Sequence, residues 1–319
     1  MPHAREMPPR HAGRDHVAMT CAHVPGSPVR DLPRRLTPRP HPVEVRWLDA
    51  MIPRPESVAE AAAHSPLTAA EIPQPSVGLR TFLGTPTGHA CLRAIAGYFH
   101  ATLDGHENIP RQGPALIVSN HALFALDSAV LGSLLVEHVQ RFPRFLADRA
   151  LWKIPGLRTI IQAIGGLPGA PHSADVLLRN GELVVVYPGG VDDSLKHDWQ
   201  NHRLMWKKRA GFARVAMTAR APIIPVVGLG IDDMYKVLWR EHVIGRRLFG
   251  NERYDLPIAV GALGTILPRR AEQHYHVLPP IQPTGDPHNE ADVEKIRAAT
   301  FNAIEDRLSD FRKQRGEHG

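Results

Sequence analysis

The sequence predicts an α/β fold built on a mixed, mainly parallel sheet flanked by helices. Three observations carry that expectation. Short apolar runs at Ala115–Ser119, Leu183–Tyr187 and Ile223–Leu229 have the length and branched content of strands buried on both faces. Segments with apolar residues at helical spacing alternate with those runs, as in βαβ units. The 319 residues are 43% hydrophobic and 22% charged, enough for a buried core and too apolar for wholesale disorder.

The elements follow in order. Residues 1–76 hold clusters such as Pro8-Pro9-Arg10, Pro33-Arg34-Arg35 and Pro38-Arg39-Pro40-His41-Pro42. They read as a largely disordered Pro/Arg/His-rich N-terminal tail, with short helices at most at Val43–Met51 and Ser57–Ala63. The folded domain is expected over 77–319. Cys91–Leu103 places Leu92, Ile95, Ala96, Phe99 and Leu103 at helical spacing and predicts an amphipathic helix. Its apolar face could dock on a bilayer or pack into the core. Turn residues Gly105, Pro110, Gly113 and Pro114 lead into the strand Ala115–Ser119. Helices are then expected at Ser128–Gln140, Leu157–Ala163, Ser173–Asn180 and Lys208–Ala219, with a long closing helix at Ala291–Gln314. Strands are expected at Arg144–Ala147, Leu183–Tyr187, Ile223–Leu229, Ala259–Leu263 and Tyr275–Val277.

Composition excludes several classes. Two cysteines, Cys21 and Cys91, make neither a disulfide framework nor a four-cysteine zinc site. No apolar run approaches the ~18–20 residues that a transmembrane helix needs. The first residues lack the apolar core of a secretory signal, so the expectation is a cytoplasmic protein that meets membranes from the side. The net charge of +6 leans mildly toward anionic partners, and the aromatic residues are not interleaved with the basic ones as in a nucleic-acid platform. No phosphate-loop or dinucleotide-binding glycine fingerprint is present.

Three segments could carry chemistry. Ser119-Asn120-His121, with Asp127 beyond it, stands where a buried strand ends, and reactive groups gather at the carboxyl ends of strands in α/β sheets. A histidine there can act as general base, and a carboxylate on its other ring nitrogen fixes the tautomer. On an ideal helix the two residues would lie ~240° apart, so the pair meets only if the first part of the segment is a turn. The alternative is a capping histidine with a surface aspartate. Val184–Gly190 is a strand that stops in Pro188-Gly189-Gly190, exposing backbone N–H groups to an oxyanion or phosphate, or forming a plain turn. The basic run Lys207–Arg214 could hold phosphates, an anionic bilayer or only water. A second basic and aromatic patch, Trp239, Arg240, Arg246, Arg247, Leu248 and Phe249, suits a membrane interface. Adjacent acidic pairs at Asp192-Asp193 and Asp232-Asp233 diverge and do not suit metal. His274 and His276 share a strand face with no third ligand in evidence.

Taken in order, these segments resemble the glycerolipid acyltransferase family. The resemblance spans about Leu103 to Pro280. It rests on Gly105–Pro110, Leu116–His121, Leu151-Trp152-Lys153-Ile154-Pro155-Gly156, Val186–Gly190 and Ala221–Val226. It implies a glycerolipid-acyltransferase-like fold and an acyl transfer. His121 would take the proton of an acceptor hydroxyl, and Asp127 would orient His121. The donor would be acyl-CoA or an acyl carrier protein. Substrate would be held by Asn120, Arg149, Lys153, Tyr187, Pro188, Gly189, Gly190 and Val191. No metal and no bound cofactor would be required. The implied partners are the acyl thioester donor, a lipid acceptor and a membrane surface, not nucleic acid.

The sequence departs from the family's common pattern in three places. Five residues, not four, separate His121 from Asp127. Gly189 stands where a Phe-Pro-Glu-Gly motif has glutamate. Gly165–Ala170 lacks the arginine that usually follows. Losing that glutamate and arginine removes a charge-matched seat for a phosphate dianion. The same changes resemble the neutral-lipid branch, the diacylglycerol acyltransferases and phytyl ester synthases. They imply a neutral acceptor such as diacylglycerol, monoacylglycerol or a long-chain alcohol. A lysophosphatidic acid or lysophospholipid acyltransferase with a rebuilt phosphate seat, and a catalytically silent lipid-binding protein, remain the alternatives.

Overall fold

The computed structural model describes residues 75–154, 156–241 and 256–316. The expected tail, apart from its last two residues, lies outside them, as do Arg246, Arg247, Leu248 and Phe249. The helices are α1 (Val77–Leu83), α2 (Pro86–Tyr98), α3 (Leu126–Leu134), α4 (Leu157–Ala163), α5 (Pro171–Arg179), the single turn α6 (Val191–Ser194), α7 (Gly211–Ala219) and α8 (Glu290–Gln314). The strands are β1 (Thr102–Asp104), β2 (Ala115–Ser119), β3 (Pro143–Ala147), β4 (Leu167–Pro168), β5 (Leu183–Val186), β6 (Ile223–Leu229), β7 (Lys236–Glu241), β8 (Leu256–Val260) and β9 (His274–Val277).

Seven strands form one sheet in the order β1-β9-β6-β2-β5-β3-β4, and β7 and β8 form a separate antiparallel ribbon. All neighbours in the large sheet run parallel except β6 and β9. The sheet is therefore mixed and mainly parallel. Side chains alternate across it with the period of two that a strand imposes. On β2, Leu116 and Val118 join one core with α5, α7 and α8, including Leu177, Phe212, Val293 and Ile304. Ala115 and Ile117 join the other with α2 and α3, including Phe99, Leu131 and Leu135. Burial of each such leucine, isoleucine, valine or phenylalanine contributes about 1.5–3 kcal/mol. Two apolar faces demand two covering layers, so helices lie on both sides of the sheet.

Local signals explain most element limits. Ser76 caps α1 by accepting from the Leu79 N–H at 3.2 Å. Thr85 caps α2 by accepting from the Gly88 N–H at 3.1 Å, with Pro86 at the first helical position. This cap shifts the helix toward the N-terminus of the expected Cys91–Leu103, and Leu103 belongs to β1 instead. Leu92, Ala96 and Phe99 are buried, so most of the apolar face of α2 packs into the core, while Ile95 stays exposed. The basic run 207–210 precedes α7 instead of opening it. Strands β1, β4 and β7, too short or too polar to show alternation, were not expected from the sequence. No helix among the described residues is long and apolar enough to cross a membrane.

Candidate active site

Strands β2, β5 and β6 are parallel neighbours, so their carboxyl ends share one edge of the sheet, and the site is assembled there. His121 follows β2. Its Nδ1 lies 2.9 Å from Asp127 Oδ2, and the Ala122 N–H donates to Asp127 Oδ1 at 3.3 Å. Asp127 is 1% exposed and His121 9%. An ionised carboxylate only accepts, so Nδ1 carries the proton and Nε2 is left with its lone pair.

The five-residue spacer permits this pairing because it is not helical. Leu123–Ala125 is a 3-10 turn in which Phe124 (φ 61°) and Ala125 (φ 58°) are both left-handed, and α3 starts only at Leu126. Two left-handed residues in succession reverse the chain and set Asp127 back against His121. Left-handed backbone costs a side-chain-bearing residue roughly 1–2 kcal/mol. Ala125→Gly is therefore expected to raise stability by about 0.5–1 kcal/mol, the added unfolded-state freedom of glycine offsetting part of the relief. Denaturant titration checks this, and a destabilised variant contradicts it.

Tyr187, just past β5, is a plate under the imidazole, with ring centroids 3.9 Å apart and planes at 12°. Its hydroxyl accepts from Ser128 Oγ at 3.0 Å. Burial and the nearby Asp127 charge hold the Tyr187 phenol well above its ordinary pKa, so it stays neutral. Asn120 corrects the expectation of a substrate contact. It is 1% exposed, its amide nitrogen donates to the Gly228 carbonyl, and its oxygen accepts from the Gly228 N–H, each at 2.8 Å. It ties the end of β2 to β6 and thereby fixes the residue before His121.

The Pro188-Gly189-Gly190 turn departs from expectation in one respect. The Gly190 N–H donates to the Tyr187 carbonyl at 2.9 Å and closes the turn, so it is not offered to a ligand. The N–H groups of Gly189 and Val191 have no hydrogen bond among the described residues. Gly190 has φ 48° and ψ −129°, a region that favours glycine. Gly189 is required for a different reason. A Cβ there would lie 2.0 Å from Asp193 Cγ, so the Asp193 carboxylate fills the space a side chain at 189 would enter.

Asp193 is fully buried. Its Oδ1 accepts from the Met205 N–H at 2.7 Å, and its Oδ2 has no hydrogen-bond partner. Burial pushes its carboxyl up to about 6, against the opposing pull of Lys196. A carboxyl whose folded pKa exceeds its unfolded one favours folding when protonated. Stability should therefore fall as pH rises from about 4 through about 6, by roughly 2–3 kcal/mol from this group. Asp193→Asn should lack that loss and gain on the wild type at pH 7–8 relative to pH 4. Urea titrations at both pH values measure the gap, and an unchanged gap refutes the assignment.

Behind the dyad lies a buried ionic chain that sequence reasoning missed. Lys196 Nζ donates to the His121 carbonyl at 3.4 Å and pairs with Asp232 Oδ2 at 2.7 Å. The same Asp232 oxygen accepts from the His202 N–H at 2.7 Å. Asp233 receives Arg315, just past the end of α8, at 2.8 Å. Asp232 and Asp233 lie against the two nitrogens of the His202 ring, at 3.7 and 3.4 Å. The only usable signal was Lys196 and Asp232 standing beside apolar segments, and nothing in their spacing pairs them.

A cavity of about 480 Å³ opens beside Tyr187 at the ends of β3 and β5. Arg149, Tyr187, Pro188, Gly190 and Val191 all line it. Lys153 is exposed and does not. Gly189 lies in the turn behind, facing Asp193. Arg209 enters the cavity from the basic run, but its guanidinium also donates to the Pro188 and Gly189 carbonyls and pairs with Asp192. Lys207 pairs with Asp192 at 2.9 Å and Arg214 with Glu290 at 2.7 Å. The run thus braces the turn and α8 more than it offers free cations. His274 contacts Thr102 Oγ1 at 3.0 Å, and His276 lies 3.7 Å from Asp104. Among the described residues no cluster of three or more histidine, cysteine or acidic side chains could hold a metal.

Residues 100–228 match the model of the acyltransferase family. The matched stretch contains both His121 and Asp127 and the whole Tyr187–Val191 turn. A human protein named as a DGAT1/2-independent enzyme synthesizing storage lipids is 34% identical over 157 residues, 49% of this chain and 47% of that one. An uncharacterised protein of Mycobacterium tuberculosis is 33% identical over 156 residues, 48% of this chain and 43% of that one. The chain spans about half the length of the curated relatives it matches. The crystal structure of the 1-acyl-sn-glycerophosphate acyltransferase PlsC from Thermotoga maritima aligns with a TM-score of 0.43 at 19% identity, over 72% of this chain and 86% of that one.

Proposed function

We propose that the acyltransferase domain moves a fatty acyl group from a thioester, acyl-CoA or acyl carrier protein, to the hydroxyl of a neutral lipid. The observation that carries the reading is the His121–Asp127 pair, 2.9 Å apart and nearly buried, with the imidazole stacked on Tyr187, which lines the cavity. His121 Nε2 removes the hydroxyl proton as the alcohol oxygen attacks the thioester carbonyl. Asp127 stabilises the imidazolium. The tetrahedral intermediate collapses to the ester, and the departing thiolate takes the proton back from His121. The N–H groups of Gly189 and Val191 are the available donors for the developing oxyanion.

Two features support a neutral acceptor. Asp193 occupies the space beside Gly189, where the family's common glutamate would project. Of the two guanidinium groups in the cavity, Arg209 is engaged by Asp192 and by turn carbonyls, which leaves Arg149 as a single seat for an anion. The human relative named for storage-lipid synthesis points the same way.

The test is transfer from a labelled long-chain acyl-CoA into diacylglycerol, monoacylglycerol, long-chain alcohols, lysophosphatidic acid and lysophospholipids, with His121→Ala alongside. Ester formation on the neutral acceptors, absent in the variant, is the expected result. Faster acylation of lysophosphatidic acid overturns the neutral acceptor. Equal product from the variant overturns the role of His121.

A further inference from the structure

We propose that the β7–β8 ribbon and the loop that follows it form a docking surface for an anionic phospholipid bilayer. The choice of a bilayer as occupant rests on reading the domain as one that acts on lipids; the surface itself stands on its geometry. The ribbon pairs only with itself and lies outside the seven-stranded sheet. A register shift between Val237 and Trp239 makes Leu238 an extra, bulged residue, and Trp239 then sits opposite Ile258. Leu238, Trp239 and Ile258 are 61%, 66% and 53% exposed. In the loop, Leu263, Ile266 and Leu267 are 101%, 86% and 63% exposed. Soluble surfaces rarely gather large apolar side chains in this way without a partner.

The loop holds its shape while exposing these side chains. The Ala262 N–H donates to the Leu267 carbonyl at 2.7 Å, and the Gly261 N–H to the Thr265 carbonyl at 2.7 Å. The Tyr235 hydroxyl holds the Ile266 carbonyl at 3.0 Å, and the Tyr98 hydroxyl holds the Pro268 carbonyl at 2.7 Å. Leu263 takes a left-handed φ of 52°, a conformation that favours glycine or asparagine, yet it carries a fully exposed leucine. An exposed, conformationally costly apolar side chain on a fixed loop is ready to insert without further ordering.

Charge and continuity identify the occupant. Among the described side chains around the patch, Lys236, Arg269 and Arg270 are exposed, against Glu272 as the exposed acid. That balance complements anionic headgroups, and Trp beside aliphatic residues is the composition of a bilayer interface. Pro268 and Tyr235, which border the loop, also line an apolar groove of about 510 Å³ with Ile95, Tyr98 and Leu126. Leu126 directly precedes Asp127. A chain leaving the bilayer at the ribbon therefore meets an apolar path toward the helix that carries the catalytic aspartate.

The test is flotation of the full chain with vesicles of phosphatidylcholine and phosphatidylglycerol, compared with Leu263→Asp/Ile266→Asp. Both side chains are solvent-facing, so the fold should survive, as circular dichroism would check. The wild type should float and the variant should lose about tenfold or more in vesicle partition. Ile266→Cys carrying an environment-sensitive fluorophore, in a Cys21→Ser/Cys91→Ser background, should shift to the blue on vesicles. Equal flotation of variant and wild type, or no fluorescence shift, overturns the proposal. So does a dimer that the double substitution dissociates while vesicle binding persists, since the patch would then cover a second copy. Transfer onto detergent-dispersed acceptor separates the two readings. Ribbon-dependent flotation with no transfer upholds the docking surface and overturns the catalytic assignment.

Discussion

Replacement of His121 by alanine is expected to lower the turnover of acyl transfer by about 10³–10⁴-fold while leaving the fold intact. Among the described residues of the site, the imidazole is the base that keeps a free nitrogen, because Nδ1 is committed to Asp127. Loss of general base catalysis costs ~10²–10⁴ in rate, and in the proposed mechanism the same group also returns the proton to the departing thiolate. The effect should fall on kcat more than on KM, because the side chain acts on the reacting proton and not on the bulk of either substrate. Asp127→Asn should follow it closely. With its oxygen kept on the Ala122 N–H, the amide turns its NH2 toward Nδ1, and Nε2 would carry the proton instead. Steady-state assays with a labelled acyl thioester measure both, and a His121→Ala variant within tenfold of the wild type would contradict the mechanism.

The second large effect is on stability. Lys196→Met is expected to cost about 3–5 kcal/mol, because it strands the Asp232 carboxylate in a site where both side chains are almost fully buried, 3% and 2% exposed. Lys196→Met/Asp232→Leu should recover a large part of that loss, since replacing both charges by apolar groups removes the uncompensated ion. A double-mutant cycle by urea denaturation reads the coupling directly. If the two single losses simply add, the pair is not coupled and the ionic chain is incidental. The double variant should still lose activity, because Lys196 also holds the His121 carbonyl.

The contrast between these two residues explains what the sequence disclosed. Ala115–Ser119, Leu157–Ala163 and Ile223–Leu229 were expected with the limits they have, because each is a dense apolar run bounded by turn residues. The β1, β4 and β7 strands were invisible, since two to six residues with mixed polarity show no period, and only their partners make them strands. In the site, His121, Asp127 and Tyr187 were legible because they lie in contiguous segments at strand ends. Their meeting was conditional on a turn, and the left-handed pair Phe124 and Ala125 supplies it, although neither residue type announces that conformation. Asn120 was placed correctly in the chain but turned toward β6. Lys196, Asp193 and Asp232 were out of reach, because their value arises from burial and from partners tens of residues away.

The order of the strands also has a consequence for synthesis. β6 is flanked on one side by β2, already made, and on the other by β9, whose residues 274–277 come last of all the strands. β1, the first strand, pairs only with β9. A chain emerging from the ribosome therefore cannot complete its sheet until nearly all of the domain has been translated. Until then the apolar edge of β6 is unpaired, and such edges recruit strands from other chains. With its decisive contacts so distant in sequence, the domain should fold slowly and late. Its yield in a cell should depend on how well chaperones cover that edge during the delay.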